Sequence, residues 1–221
     1  MDKNKQHSDS LIIAAILFFF GGFQNAYTYI NCGKVFANLQ TGNLVLMSIN
    51  LADGNFPLVI RYLVPLTSFW LGCFVGSIVD VKCKQNFKIH WRTIVLFIEL
   101  VCVIIAGLLP ESYDLTSAAV ITFNSALSLQ GFKTVDNRTL PTTMMIGNMR
   151  KAIEYITRYA LLHKKEDMKE FRIVFWLLIV FLLGAIVSAK LSNYFYSRTI
   201  LFLIPLYIAA IVYLQIDTSA R

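Results

Sequence analysis

Charge is scarce in this chain: 20 Lys and Arg and 13 Asp and Glu make up 15% of 221 residues, where a soluble domain carries about 25%. The missing charges leave long uncharged blocks rather than a thin scatter. With 57% hydrophobic residues and a mean hydropathy of +0.61, this excludes a soluble globular protein. Cysteine and histidine are also few. Cys32, Cys73, Cys83 and Cys102 form no CxxC pair, and His7, His90 and His163 stand far apart, so neither a disulfide framework nor a zinc site is indicated. GxSxG, HExxH, a Walker loop and GxGxxG are all missing, as is any cluster of Asp, Glu and His. No catalytic residue, metal or cofactor is therefore expected, and an enzyme is the least supported class. The net charge of +7 does not point to nucleic acid, because membrane proteins gather basic residues in cytoplasmic loops for topological reasons.

In place of charge the chain has apolar sequence in membrane-sized blocks. Uncharged runs of roughly 17–25 residues cover 11–32, 62–79, 93–109 with only Glu99 interrupting, 115–132, 173–189 and 199–216. They predict an all-α polytopic membrane protein with six transmembrane helices and the lipid bilayer as its main partner. The first run follows Lys3 and Lys5, yet it is too long for a signal peptide and no A-x-A site closes it, so it reads as a retained anchor. Two further helical segments, near 41–52 and 142–163, decide the topology. If neither crosses, every Lys and Arg except Lys34, Arg61, Lys190 and Arg198 lies on the N-terminal side, leaving 16 of the 20 there, and the positive-inside rule places both termini in the cytoplasm. If both cross, that bias vanishes and charges are stranded within a span. A seven-span version in which only 41–52 crosses also suits the charges. Length argues against it, because twelve helical residues rise only about 18 Å and the hydrocarbon core is about 30 Å thick.

The two halves of the chain resemble each other in order. Gly22-Phe23-Gln24-Asn25 matches Gly131-Phe132-Lys133-Thr134, Thr41-Gly42-Asn43-Leu44 matches Ile146-Gly147-Asn148-Met149, and Leu71-Gly72-Cys73-Phe74-Val75-Gly76 matches Leu183-Gly184-Ala185-Ile186-Val187-Ser188. Residues 1–110 and 111–221 thus read as two repeats of one membrane domain, each a span, a break, a short helix and two spans. Three crossings per half is an odd number, so the second repeat is expected upside down relative to the first. The breaks at 31–40 and 133–143 then enter from opposite faces, and at membrane depth such breaks are tolerated only inside protein or beside a wet cavity.

The first break gathers Asn31, Lys34, Asn38, Gln40, Thr41, Gly42 and Asn43. In one reading, the first helical turn at Thr41-Gly42-Asn43 offers free N–H groups and a positive dipole end to an anion, with Gly42 allowing close approach. In the other, Thr41 and Asn43 cap the helix. The second break carries Asp136, Asn137, Arg138, Thr139, Pro141, Thr142 and Thr143 ahead of Gly147 and Asn148. Its helix then alternates Arg150, Lys151, Glu154 and Arg158 with Ile153, Tyr155, Ile156, Tyr159 and Leu161, the pattern of an amphipathic helix in the cytoplasmic interface. Glu99 is either a coupling site for an ion or a carboxylate that reaches water or pairs with Lys88 or Arg92. Gln24 and Asn25, with Asn124, Ser125 and Gln130, either line the same cavity or tie helices together. Ser68, Gly72 and Gly76, like Gly184, Ser188 and Ser192, recur every four residues, which lets helix backbones approach, either between the repeats or across a homodimer seam.

Gly21-Gly22-Phe23-Gln24-Asn25-Ala26, followed by Val35-Phe36-Ala37-Asn38-Leu39-Gln40-Thr41-Gly42-Asn43-Leu44, resembles the opening of the YoaK family of small bacterial integral membrane proteins. The segment from Thr142-Thr143 to Gly147-Asn148 is similar to that family's second copy of the motif, with Ile146 and Lys133-Thr134 departing from it. The resemblance implies a bacterial cytoplasmic membrane and six spans, and it supplies no substrate. The sequence as a whole points to a small secondary transporter or channel that binds a small anionic solute and works by alternating access. Its candidate binding residues are Gln24, Asn25, Asn38, Gln40, Thr41, Gly42, Asn43, Thr142, Thr143, Gly147 and Asn148. The competing expectation is a non-transporting membrane scaffold or lipid-associated accessory protein with a dry centre, in which Asn43→Ala is tolerated.

Overall fold

A computed structural model describes residues 10–86, 91–132 and 145–219 of the chain, with side chains through 82, from 91 to 132, and from 145 to 215. Helix α1 (Leu11–Asn31) starts where Ser10 Oγ accepts from Ile13 N at 3.3 Å, an N-cap that satisfies one of the orphan donors of the first turn. It ends at a reversal through Gly33 (φ 72) and Lys34 (φ 65). Short α2 (Gln40–Ala52) stops at Asp53-Gly54, with Gly54 at φ 70, the left-handed conformation that glycine adopts at least cost. Then follow α3 (Phe56–Asn86), α4 (Trp91–Leu108), a single 3-10 turn at Glu111–Tyr113 and α5 (Asp114–Gly131). The amphipathic α6 (Met145–Leu162) leads to α7 (Lys165–Phe195), which has Glu166 and Asp167 in its first turn. Tyr196 at φ 48 ends α7, and a 3-10 segment (Tyr196–Leu203) connects to α8 (Ile204–Ser219). Pro205 falls in the first turn of α8, just after the 3-10 segment. Every regular element among the described residues is helical.

Four stretches are long and apolar enough to cross a membrane: Leu11–Asn31, Phe56–Lys82, Trp91–Leu108 and Lys165–Gln215. The last contains α7, the 3-10 segment and α8, and so holds two of the apolar runs seen in the sequence. The run at 115–132 is α5, which stands apart from these four. Ser117, Thr122, Asn124, Ser125 and Ser128 lower its hydropathy, and all of them are buried inside the protein. A helix surrounded by other helices does not need a lipid-compatible surface.

The helices pair across the two halves of the chain: α1 packs along α7, and α3 along α5. The short helices stay within their own halves, α2 on α3 and α6 on α7, while α4 packs on α5, α8 and the 3-10 segment. The main core lies where α1, α4, α5 and α8 meet. It is filled by Phe20, Phe23, Tyr27, Leu96, Val103, Ile121, Leu127 and Tyr207, with Phe20 stacked on Tyr207 at 4.1 Å between centroids. A smaller cluster of Ala14, Phe18, Ala152, Val174 and Leu177 joins α1, α6 and α7. Only 22% of the apolar window of α3 is buried, against 61% for α1. Trp70, Phe74, Phe175 and Leu182 on α3 and α7 are exposed, so those two helices present an apolar surface suited to lipid rather than to water.

Close packing at both seams depends on missing side chains. A Cβ at Gly22 would strike the Phe181 carbonyl of α7, and one at Gly184 would strike the Phe19 carbonyl of α1. At the other seam, a Cβ at Gly72 would lie 2.5 Å from Phe123 O and 2.7 Å from Ala126 Cβ, and one at Gly76 would lie 2.8 Å from Gln130 Cβ. Ser188 is fully buried on α7 and Ser68 half-buried on α3.

Candidate functional site

The break between α1 and α2 leaves backbone groups without helical partners, and side-chain amides take them up. Asn43 Oδ1 accepts from Phe36 N at 2.9 Å, while its Nδ2 donates to Phe36 O at 2.7 Å and to Gln40 Oε1 at 3.0 Å. Gln40 Nε2 donates to Ala37 O at 2.7 Å. Asn25 Oδ1 accepts from Asn38 N at 2.8 Å, and Asn38 Nδ2 donates to Gly21 O at 3.0 Å, which ties the break back onto α1. Asn31 Nδ2 reaches Ser192 Oγ on α7 at 2.8 Å. Burying such backbone groups unpaired is costly, so this density of amides has a structural reason. Thr41 is exposed, Gly42 packs against the side chains of Leu39 and Phe36, and Asn43 is fully buried.

Beside this knot lies a groove of about 750 Å³. Its walls are Tyr29 and Ile30 of α1, Phe36 of the break, and Phe181 and Ala185 of α7, and it continues to Ile146 and Gly147 at the start of α6. Asn25 and Asn38 are its amide side chains, and no charged side chain lines it among the described residues. Tyr29 stacks on Phe36 with centroids 4.9 Å apart, and Lys34 Nζ stands 4.8 Å from the Tyr29 centroid, on the exposed side of that wall. A Cβ at Gly147 would meet nothing within 4 Å. Of the residues singled out in the sequence, the groove brings together Asn25, Asn38 and Gly147. Asn148 is buried within α6, and Gln40 and Asn43 hold the break. Thr142 and Thr143, with the rest of 133–144 including Pro141, lie outside the described residues, as does Lys88.

Gln24 faces the other way from Asn25, into a second polar constellation at the centre of the main core. Its Nε2 donates to the Tyr207 hydroxyl at 3.1 Å, and its Oε1 accepts from Ser125 Oγ at 2.7 Å. Asn124 Nδ2 also donates to the Tyr207 hydroxyl at 3.1 Å. Glu99, halfway along α4, is 0% exposed, with both carboxyl oxygens buried and without a hydrogen-bond partner; Ser128 and Tyr207 are its polar neighbours. Arg92 is turned elsewhere: its Nε donates to Gly131 O at 3.1 Å and its guanidinium lies over the Phe132 ring at 5.5 Å. Gln130 hydrogen-bonds Ser77 of α3. The hub, Tyr207, escapes sequence reasoning because one tyrosine in an apolar run looks like any other aromatic. Phe181 and Ala185 escape it because only tertiary packing brings α7 to the break.

The family model described as "Protein of unknown function (DUF1275)" matches residues 13–214, in keeping with the resemblance of the sequence to the YoaK family. No curated protein and no solved structure matches the chain.

Proposed function

The chain belongs to the DUF1275 family, a description that names no substrate, and we propose its function from the groove: a small membrane transporter or channel for a solute with an apolar body and an anionic end. The observation that carries this reading is the composition of the groove walls. Tyr29, Phe36, Phe181 and Ala185 suit an apolar or aromatic body, while the amide N–H groups of Asn25 and Asn38 suit the polar end of a solute. The groove also joins the break of the first half to the start of the short helix of the second, the place where a repeat-built transporter holds its cargo.

Six spans in two inverted repeats, 1–110 and 111–221, with both termini cytoplasmic, make up the architecture of this proposal. Exchanging the halves exchanges α1 on α7 for α5 on α3, and α2 on α3 for α6 on α7, and both members of each pair occur. Gly72 and Gly184, which match in the two halves, each make a tight contact with the facing helix, at Phe123 of α5 and Phe19 of α1. The pairs α1 with α7 and α3 with α5 are then the two bodies whose relative motion opens the groove to either side.

A second reading, a non-transporting scaffold, draws on the amides of the break: Asn43, Gln40 and Asn25 each hold a backbone group, and Asn38 holds Gly21 O through its Nδ2 although its Oδ1 has no partner. Thermal unfolding of the detergent-purified chain against inorganic anions and carboxylates of increasing apolar size separates the two. Binding to the native state raises the midpoint by mass action. A shift for apolar carboxylates that Gly147→Leu diminishes supports the transporter. No shift for any compound in the panel supports the scaffold.

A further inference from the structure

The constellation around Glu99 has more buried acceptors than donors. Glu99 Oε1 and Oε2 and Asn124 Oδ1 are buried without partners. Tyr207 receives two N–H donors, from Gln24 and Asn124, so both acceptor positions of its hydroxyl are filled and only its own O–H remains to give. That proton serves one of the waiting oxygens and the Ser128 hydroxyl beside Glu99 can serve another, which still leaves acceptor positions of the carboxyl and of Asn124 Oδ1 open. Among the described residues, nothing positive completes the set. Helix α1 carries no charged residue, α5 only Asp114 at its start, and α8 between 204 and 215 only Tyr207 and Tyr213 as ionisable groups. On α4 itself Arg92 is bonded to Gly131 O. Of the ionisable groups on α3, Arg61 is bonded to Asp114, and Asp80 and Lys82 lie toward its far end; Arg198 of the 3-10 segment is exposed. A bare carboxylate sealed among neutral groups is costly, and a proton on Glu99 supplies the donor that these acceptors lack.

We propose that Glu99, with Tyr207, Asn124 and Gln24, forms a proton-binding site in the centre of the bundle, taking its proton from water and returning it there. This site is distinct from the groove but joined to it. Gln24 of the constellation and Asn25 of the groove are consecutive on α1, and Asn25 holds Asn38 of the break. When Glu99 loses its proton, the donors of Tyr207 and its amide partners turn toward the carboxylate, and Gln24 moves with them. Coupling to solute movement rests on the transporter reading, whereas proton binding does not.

The test is pH-difference infrared spectroscopy of the full chain in phosphatidylcholine–phosphatidylglycerol vesicles without added solute, comparing wild type with Glu99→Gln, Glu99→Asp and Tyr207→Phe. The expected result is a C=O stretching band of a protonated carboxyl in dry surroundings that titrates reversibly. It is lost in Glu99→Gln, and displaced in frequency in Glu99→Asp and Tyr207→Phe. Should Glu99→Gln fail to fold, the displaced band of Glu99→Asp carries the assignment. Two results overturn the proposal: difference spectra of wild type and the Glu99 variants that coincide in this region, or a carboxylate signal that ignores pH and responds to sodium, which assigns a metal cation instead. Because no solute is present, a titrating band with no solute binding leaves the proton site standing and the transporter reading fallen.

Discussion

Asn43→Ala separates the two roles open to the break. In the structure its amide makes three hydrogen bonds, two of them to the N–H and C=O of Phe36 at 2.9 and 2.7 Å. Alanine removes all three and leaves both backbone groups of Phe36, in a half-buried segment, to find other partners. Orphaning a buried polar group costs about 1–3 kcal/mol, and taking the lower half of that range for each of the two gives a loss of about 3 kcal/mol. For a chain of this length 1 kcal/mol displaces the thermal midpoint by about 2–4 °C, so the expected drop is about 6–12 °C. The assay is thermal unfolding in detergent, followed by intrinsic tryptophan fluorescence. Gly147→Ala is the control: its Cβ enters open space, and a change below about 0.5 kcal/mol is expected. If Asn43→Ala unfolds at the wild-type midpoint, the amide does not hold the break, and the argument that these residues have a structural reason is refuted.

Three further outcomes follow from the packing. Gly184→Val and Gly72→Val each drive a side chain into the backbone of the facing helix and should cost about 1–3 kcal/mol, read by denaturant titration in mixed micelles. Gln24→Leu strips a donor from Tyr207 and leaves Ser125 Oγ without its acceptor, with an expected loss of about 1–3 kcal/mol by the same titration. The Arg61–Asp114 pair at 2.6 Å, with side chains 28% and 27% exposed, should show a coupling of about 1 kcal/mol or less in a double-mutant cycle, because water screens a partly exposed pair.

Much of the architecture was legible in the sequence because lipid imposes a simple rule: apolar runs of membrane length become helices. The short helices after each break were marked by Thr41-Gly42-Asn43 and Gly147-Asn148, and the four-residue spacing of Gly72 and Gly76 marked a tight seam whose partner was not readable. That partner is α5, and for Gly184 it is α1, choices made by shape complementarity between segments more than a hundred residues apart. The sequence grouped Gln24 with Asn25 because they are neighbours in the chain. On a helix consecutive side chains diverge, and these two enter different constellations. The polarity of α5, which sets it apart from the four stretches apolar enough to cross a membrane, is explained by its position inside the bundle, where Asn124 and Ser125 face Tyr207 and Gln24.

The most direct test of the groove is solute flux. Proteoliposomes containing wild-type chain, Gly147→Leu chain or no protein would be loaded with a radiolabelled aromatic or aliphatic carboxylate, and its efflux followed over time. Efflux above the protein-free rate is expected for wild type and slower efflux for Gly147→Leu, whose side chain adds bulk to the α6 end of the groove. Efflux from the Gly147→Leu vesicles equal to wild type, or efflux from neither beyond that of empty vesicles, would contradict it.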